Sequence, residues 1–277
     1  MGKTTAASKA EKPVFVGDTR ETAELDVDRY PLNNIQNFKE FKQALVDIRD
    51  LDHDFTTLVI DNLTFVEALI KRSICEAHNV DSIEKAGGGY GKGFTEVDER
   101  VEDVINLIEQ ISDSKEMDII VIAHAKEKAH NAPGLEESYD RWVMSLEKKT
   151  NATVMRRIPN ILFAMYEEKT TKTKTGKVIG VDTDKRFFRT NHKPAYDAKN
   201  RGSLPDKMEM NWALVKQMYG GGVNTSSEEL TQDILSTMDG LDKKIQEAIK
   251  KQVSEAGSNK AKLMEIKKKV VNLTSAS

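Results

Sequence analysis

The run Leu58-Val59-Ile60, entered from Thr57 and closed by Asp61-Asn62, constrains this chain more than any other stretch. A short continuous apolar run fits a strand buried on both faces of a parallel sheet, although periodicity alone leaves a buried helix segment open. Ending such a strand on Asp61 puts a carboxylate at the sheet's carboxyl edge, where open α/β sheets bind their ligands. Two further runs of strand character follow, Met117–Ile122, apolar but for Asp118, and Ile161–Tyr166. Leu63, Val66, Leu69, Ile70 and Ile74 recur at three and four, as in a helix packed on a sheet.

A second feature gives Asp61 a partner. Gly2-Lys3-Thr4-Thr5 matches the last part of a phosphate-binding loop, G-x-x-x-x-G-K-[ST], which follows a strand and cradles phosphate with backbone N–H groups. The first glycine of that motif and a strand before it are not in this sequence. Three readings stand: a residual phosphate site, a polar start without function, or a start lying inside a longer gene. If the site is real, Asp61 is the residue that holds magnesium beside the nucleotide.

The chain has 277 residues, enough for one large α/β domain with an appendage. Lys and Arg number 42 against 45 Asp and Glu, a net charge of −3, so any basic binding surface must be local. A single cysteine, Cys75, excludes an internal disulfide and fits a reducing cytoplasm. No apolar run approaches the ~20 residues needed to cross a bilayer, and the start lacks a signal-peptide core, so a cytoplasmic protein without a membrane partner is expected.

In chain order, Pro13–Val16 reads as a short strand, followed by Asp18 and Glu21. A carboxylate here can orient an attacking water; an acidic turn is the alternative. Residues 24–36 read as extended, Phe38–Ile48 as a helix, and 80–95, with its glycines, as a mobile loop carrying Tyr90 and Lys92. A helix is expected over 96–112. The strand Met117–Ile122 ends at Ala123-His124, where a polar side chain lies beside the Asp61 strand end if the strands are neighbours. Residues 125–143 read as a long irregular loop, followed by a helix over 144–157. Lys172–Lys177 reads as the turn of an antiparallel hairpin returning through Val178–Arg189, its lysines a solvated tip. Lys199 and Arg201, two residues apart at a strand end, point the same way and could reach a phosphate. Residues 219–227 read as a linker. A charged helical tail follows, with Leu230, Ile234, Leu241, Ile245 and Ile249 on one stripe.

Taken in order, Gly2-Lys3-Thr4-Thr5, Leu58-Val59-Ile60-Asp61, Gly89-Tyr90-Gly91-Lys92-Gly93, Ile120-Val121-Ile122-Ala123-His124 and the stretch from Asp197 to Pro205 resemble phage-encoded RecA-like P-loop ATPases, the group containing single-strand-annealing recombinases. The resemblance covers roughly residues 1–218. It implies an α/β fold: a RecA-like P-loop NTPase core with a mainly parallel central sheet, a β-hairpin insertion and a C-terminal helical extension. It implies ATP and Mg2+ as cofactors. Gly2, Lys3, Thr4 and Thr5 would bind the nucleotide, with Lys3 on the β- and γ-phosphates and Thr4 and Asp61 on the metal. His124 would sense the γ-phosphate, Glu21 or Asp18 would position water, and Lys199 and Arg201 would reach the nucleotide of a neighbouring subunit.

The family places flexible DNA-binding loops after the metal-binding strand and after the sensor strand. Tyr90 and Lys92 fall in the first, and Lys126, Lys128 and Arg141 in the second. The implied partners are single-stranded DNA, further copies of the chain in a ring or filament with nucleotide at the interface, and a phage or host single-strand-binding protein. The expected function is ATP-dependent recombination on single strands, with a non-hydrolysing assembly or partner-binding module as the alternative. A packaging or helicase motor is a third reading without an extra motif to support it.

Overall fold

A computed structural model describes residues 2–131, 137–172, 178–202, 204–220, 227–238, 241–257 and 259–274. In order the elements are α1 (Lys3–Ala7), β1 (Pro13–Gly17), β2 (Asp28–Arg29), α2 (Phe38–Asp50), β3 (Thr57–Asp61), α3 (Leu63–Ala77), α4 (Lys92–Lys115), β4 (Asp118–Ile122), β5 (Ala125–His130), β6 (Tyr139–Met144), α5 (Lys148–Arg157), β7 (Asn160–Ile161), β8 (Phe163–Lys172), β9 (Val178–Arg189), β10 (Lys199–Asn200), β11 (Lys207–Glu209), α6 (Trp212–Gly220), α7 (Ser227–Thr237), α8 (Lys243–Ala256) and α9 (Lys260–Thr274). They form two compact units. One comprises residues 1–161 and 192–197, and the other 162–191 and 198–277.

The first unit is built on a parallel sheet of order β2-β1-β3-β4. Every residue of β3 is buried, as the apolar run requires. Side chains alternate across a strand. Val14, Val16, Leu58 and Ile60 accordingly enter one core with Phe41, Leu45, Val66, Ile70, Val101 and Ile108 from α2, α3 and α4. Phe15 and Val59, paired in register, are buried on the opposite face. That is also the face to which Asp61 belongs, two residues beyond Val59, and α1 packs against β4. Gly17, Asp61 and Ile122 are register partners, so β1, β3 and β4 end level with one another.

Several local expectations are corrected. Residues 24–36 contribute strand only at Asp28–Arg29. The stretch 80–95 is not one open loop: a 3-10 turn covers Ile83–Gly88 and α4 begins at Lys92. Gly93 makes the earlier start possible, because a Cβ there would lie 2.2 Å from the Ile83 carbonyl. Residues 125–143 hold an antiparallel ribbon in which Lys126, Lys128 and His130 oppose Val143, Arg141 and Tyr139; residues 132–136 lie outside the described residues. The ribbon was hidden because β5 is solvent-exposed and lacks an apolar face.

In the second unit β8 and β9 pair antiparallel from Phe163↔Arg189 to Lys172↔Val178, with β11 on the outer side of β9. The expected hairpin strands are therefore present, while its turn, 173–177, lies outside the described residues. So do 221–226 of the expected linker and Ser203 of the Asp197–Pro205 stretch. The tail folds as three helices around Leu230, Ile234, Met238, Ile249, Val253, Leu263, Ile266 and Val270. Ile245 does not join that stripe: it lies in the first turn of α8 and is 38% exposed, whereas Ile249, one turn further along the same helix, is buried.

Candidate nucleotide site

Level strand ends gather the polar residues that follow them. Asp61 closes β3 and is 2% exposed. Thr4, in α1, donates its hydroxyl to Asp61 Oδ2 at 2.7 Å. Burial pushes the Asp61 carboxyl above the ordinary carboxylate range. The Thr4 hydrogen bond opposes this, Glu21 adds to it, and the charges of Lys3 and His124 pull the other way. A buried carboxylate whose ionised form lacks water is stabilised by a cation.

Gly17 brings β1 against this point. Its φ is +148°, and a Cβ would lie 2.1 Å from the Asp61 carbonyl, which also accepts the Asp18 N–H at 2.7 Å. Only a residue without a side chain permits that approach. The sequence signal was a glycine between an apolar strand and an acidic residue, and it was missed.

The two candidate carboxylates are in different states. Asp18 is bound by Arg20, through Nε at 2.9 Å and a second guanidinium nitrogen at 2.6 Å. Arg20 holds its pKa down, and its side chain also caps the 3-10 turn Thr19–Thr22 by accepting the Arg20 N–H. Glu21 instead faces the centre of the site. Its Oε1 accepts from Asn62 Nδ2 at 3.2 Å and lies 3.4 Å from His124 Nε2. Asn62 Nδ2 is also 3.0 Å from His124 Nε2. The turn carrying Glu21 is clamped from behind by Arg29, which donates to the Thr22 hydroxyl at 2.7 Å, the Thr22 carbonyl at 2.5 Å and the Leu25 carbonyl at 2.9 Å.

Thr4, Asp61, Glu21, Asn62 and His124 thus converge at one sheet edge, and Lys3 is close enough for its charge to act on Asp61. Asn62 and Arg29 were not among the residues singled out from the sequence. A neutral side chain after a strand carries no chemical signature until its partners are known.

The remaining candidates are not among the residues that these contacts bring together. Tyr90 is fully exposed, on a turn where Gly87, Gly88, Gly89, Tyr90 and Gly91 all have positive φ, and Lys92 opens α4. Lys126 and Lys128 share one face of the β5–β6 ribbon, continued by His130 and Tyr139, whose rings meet edge to face at 5.3 Å. Arg141 is on that face too, but it is only 12% exposed and ion-paired with Asp197. Lys199 and Arg201 belong to the second unit. Burial lowers the Lys199 ammonium pKa, and the Arg201 charge adds to the effect.

A family model described as an AAA domain matches residues 1–202. The chain belongs to this AAA-domain family. No curated protein and no solved structure gives a significant match. Membership carries nucleotide binding with it, in keeping with a P-loop-type α/β core. The AAA-domain site fits Mg2+, which takes one or two protein oxygens and completes its shell with water and phosphate oxygens: Thr4 and Asp61 are such a pair. Among the described residues no cluster of three His, Cys, Asp or Glu side chains is set to hold a metal without a nucleotide. No helix among them is long and apolar enough to cross a membrane.

Proposed function

We propose that this AAA-domain chain binds and hydrolyses ATP and uses the nucleotide to control its grip on single-stranded DNA during strand annealing and recombination. The observation that carries the reading is continuity. His124 sits at the nucleotide edge, β5 starts at the next residue, and the Ser145 N–H returns to the His124 carbonyl at 2.7 Å to close the ribbon's base. A displacement of His124 therefore moves the strand that bears Lys126 and Lys128.

In this reading Lys3 neutralises the β- and γ-phosphates, and Thr4 and Asp61 hold magnesium, which supplies charge neutralisation as the phosphoryl group departs. Glu21, hydrogen-bonded by Asn62 where Asp18 is taken by Arg20, orients water and accepts its proton, while His124 donates to a γ-phosphate oxygen. Lys126 and Lys128 meet the DNA backbone, and Tyr90 offers a face for base stacking. Lys199 and Arg201 act on the nucleotide of a second copy in a ring or filament. Such a protein works in the cytoplasm, beside a single-strand-binding protein.

The test is nucleotide-linked DNA binding. Fluorescence anisotropy on a labelled oligonucleotide should show affinity that changes between ATP-γ-analogue and ADP in the presence of magnesium, and Lys3→Ala should erase the difference. DNA affinity indifferent to nucleotide in the unaltered chain rejects the reading. It favours a non-hydrolysing assembly module.

A further inference from the structure

We infer that Asn62 is the positioning residue of this site: its one amide group holds Glu21 in place and selects the tautomer of His124. The inference rests on the hydrolytic reading above. Asn62 is 2% exposed, so its polar atoms depend on protein partners. Its Oδ1 accepts the Phe65 N–H at 2.9 Å and caps α3. This leaves Nδ2 toward Glu21 Oε1 and His124 Nε2. The reversed amide would set N–H against the Phe65 N–H and oxygen against the Glu21 carboxylate, so the partners fix the orientation.

The two Nδ2 hydrogens then have two acceptors, and His124 Nε2 is one of them. A histidine that accepts at Nε2 is neutral and carries its proton on Nδ1. Nδ1–H becomes the donor offered to a phosphate oxygen, and Nε2 is kept from pairing with Glu21 at 3.4 Å. The carboxylate stays available for water. Asparagine is suited to this task because it combines one acceptor with two donors on a short stem. Aspartate caps the helix but cannot donate. Serine caps it too, but is too short to span to both groups.

Two variants separate the cap from the positioning role. Asn62→Ser keeps an acceptor for the Phe65 N–H, so its thermal unfolding should stay close to that of the unaltered chain, whereas Asn62→Asp also keeps the cap but buries a carboxylate against Glu21 and should melt lower. Magnesium-dependent ATP turnover should fall in both by about tenfold to a hundredfold in kcat, the range expected when a general base loses its orientation, with KM changed by less than about threefold. Nitrogen-15 NMR of the His124 ring, assigned by comparison with His124→Gln, should show the Nδ1–H form in the unaltered chain and the Nε2–H form in Asn62→Ser. Unchanged kcat in Asn62→Ser, or an unchanged His124 tautomer, overturns the inference. An unaltered chain that does not turn over ATP defeats the hydrolytic reading instead, and the ring spectra then decide on their own whether Asn62 governs His124.

Discussion

Thr4 Oγ1 lies 2.7 Å from Asp61 Oδ2, although 57 residues separate them in sequence. This contact joins the phosphate-loop fragment to the strand that ends in a carboxylate, the two features that first suggested a nucleotide. It also holds the carboxylate where water cannot reach it. The consequence is electrostatic: burial of the Asp61 carboxyl outweighs the Thr4 hydrogen bond and the charges of Lys3 and His124, so its ionised form is less favourable in the folded chain than in water.

The pH dependence of stability follows from that. The folded-state pKa of Asp61 is raised, chiefly by burial, above its unfolded value. The folded state therefore takes up this proton more readily than the unfolded state. The group favours folding at pH below its unfolded pKa and withdraws that support as pH rises through the folded value. Asp61→Asn removes the charge and leaves an oxygen for Thr4. Near neutral pH and without magnesium it should melt a few degrees higher than the unaltered chain. It should also lose the magnesium-dependent stabilisation by ATP, and differential scanning fluorimetry with and without Mg-ATP reads both effects.

The carboxylates after β1 divide the work. Glu21→Gln should lower kcat for ATP hydrolysis by about a hundredfold or more, the usual worth of a general base, with nucleotide affinity nearly unchanged. Asp18→Asn should leave kcat within about threefold, since Asp18 already belongs to Arg20. Its effect is on stability. The Arg20 hydrogen bond depresses the Asp18 pKa, so the stabilisation is present above the unfolded value and lost as pH falls through the folded one. Steady-state turnover and acid unfolding of the two variants separate these roles.

Gly17→Ala tests the closure of β1 on β3. The added carbon meets the Asp61 carbonyl at 2.1 Å, and the φ of +148° is strained for alanine. We expect a loss of about 2 kcal/mol or more in chemical denaturation, in the range of misplaced backbone substitutions. ATP-analogue affinity should fall in parallel if Asp61 holds magnesium as proposed, because the strain falls on its backbone carbonyl.

The two strands that frame the site were legible from their apolar runs: Leu58–Ile60 is buried on both faces, Ile119–Ile122 is apolar although β4 is an edge strand with Ile119 and Val121 half-buried, and their ends fix where Asp61 and His124 stand. The ribbon at 125–144 was not, since neither face of β5 is buried and nothing in Ala-Lys-Glu-Lys-Ala-His has to be apolar. The early start of α4 was hidden by glycines that suggest a loop; Gly93 is there for a close approach to Ile83, which is a tertiary fact. Within the site, charged residues announced themselves and the organising ones did not. Asp18 and Glu21 looked equivalent in sequence, and it took the position of Arg20 on one and Asn62 on the other to tell them apart.

The basic face of the β5–β6 ribbon makes a prediction in which two kinds of cation part company. Lys126 and Lys128 lie on exposed strand, whereas Arg141, on the same face, is committed to Asp197. Lysines that contact phosphates release counterions, and the salt dependence of single-strand binding has a slope of roughly 0.7 per contact. Replacing both lysines with alanine should therefore flatten a plot of log affinity against log salt by about 1.4 and leave the melting temperature unchanged. Arg141→Ala should do the reverse. It leaves Asp197, 16% exposed, without its guanidinium partner and loosens the segment in which the Ala195 carbonyl accepts the Trp142 N–H at 2.8 Å, so stability drops while the slope is kept. Tyr90→Ala, on the fully exposed turn, should weaken binding by about 1–3 kcal/mol, the worth of a stacked base, with no change in slope. A lysine pair whose removal leaves the slope intact would take the ribbon out of the DNA interface, and the search for that surface would move to the turn around Tyr90.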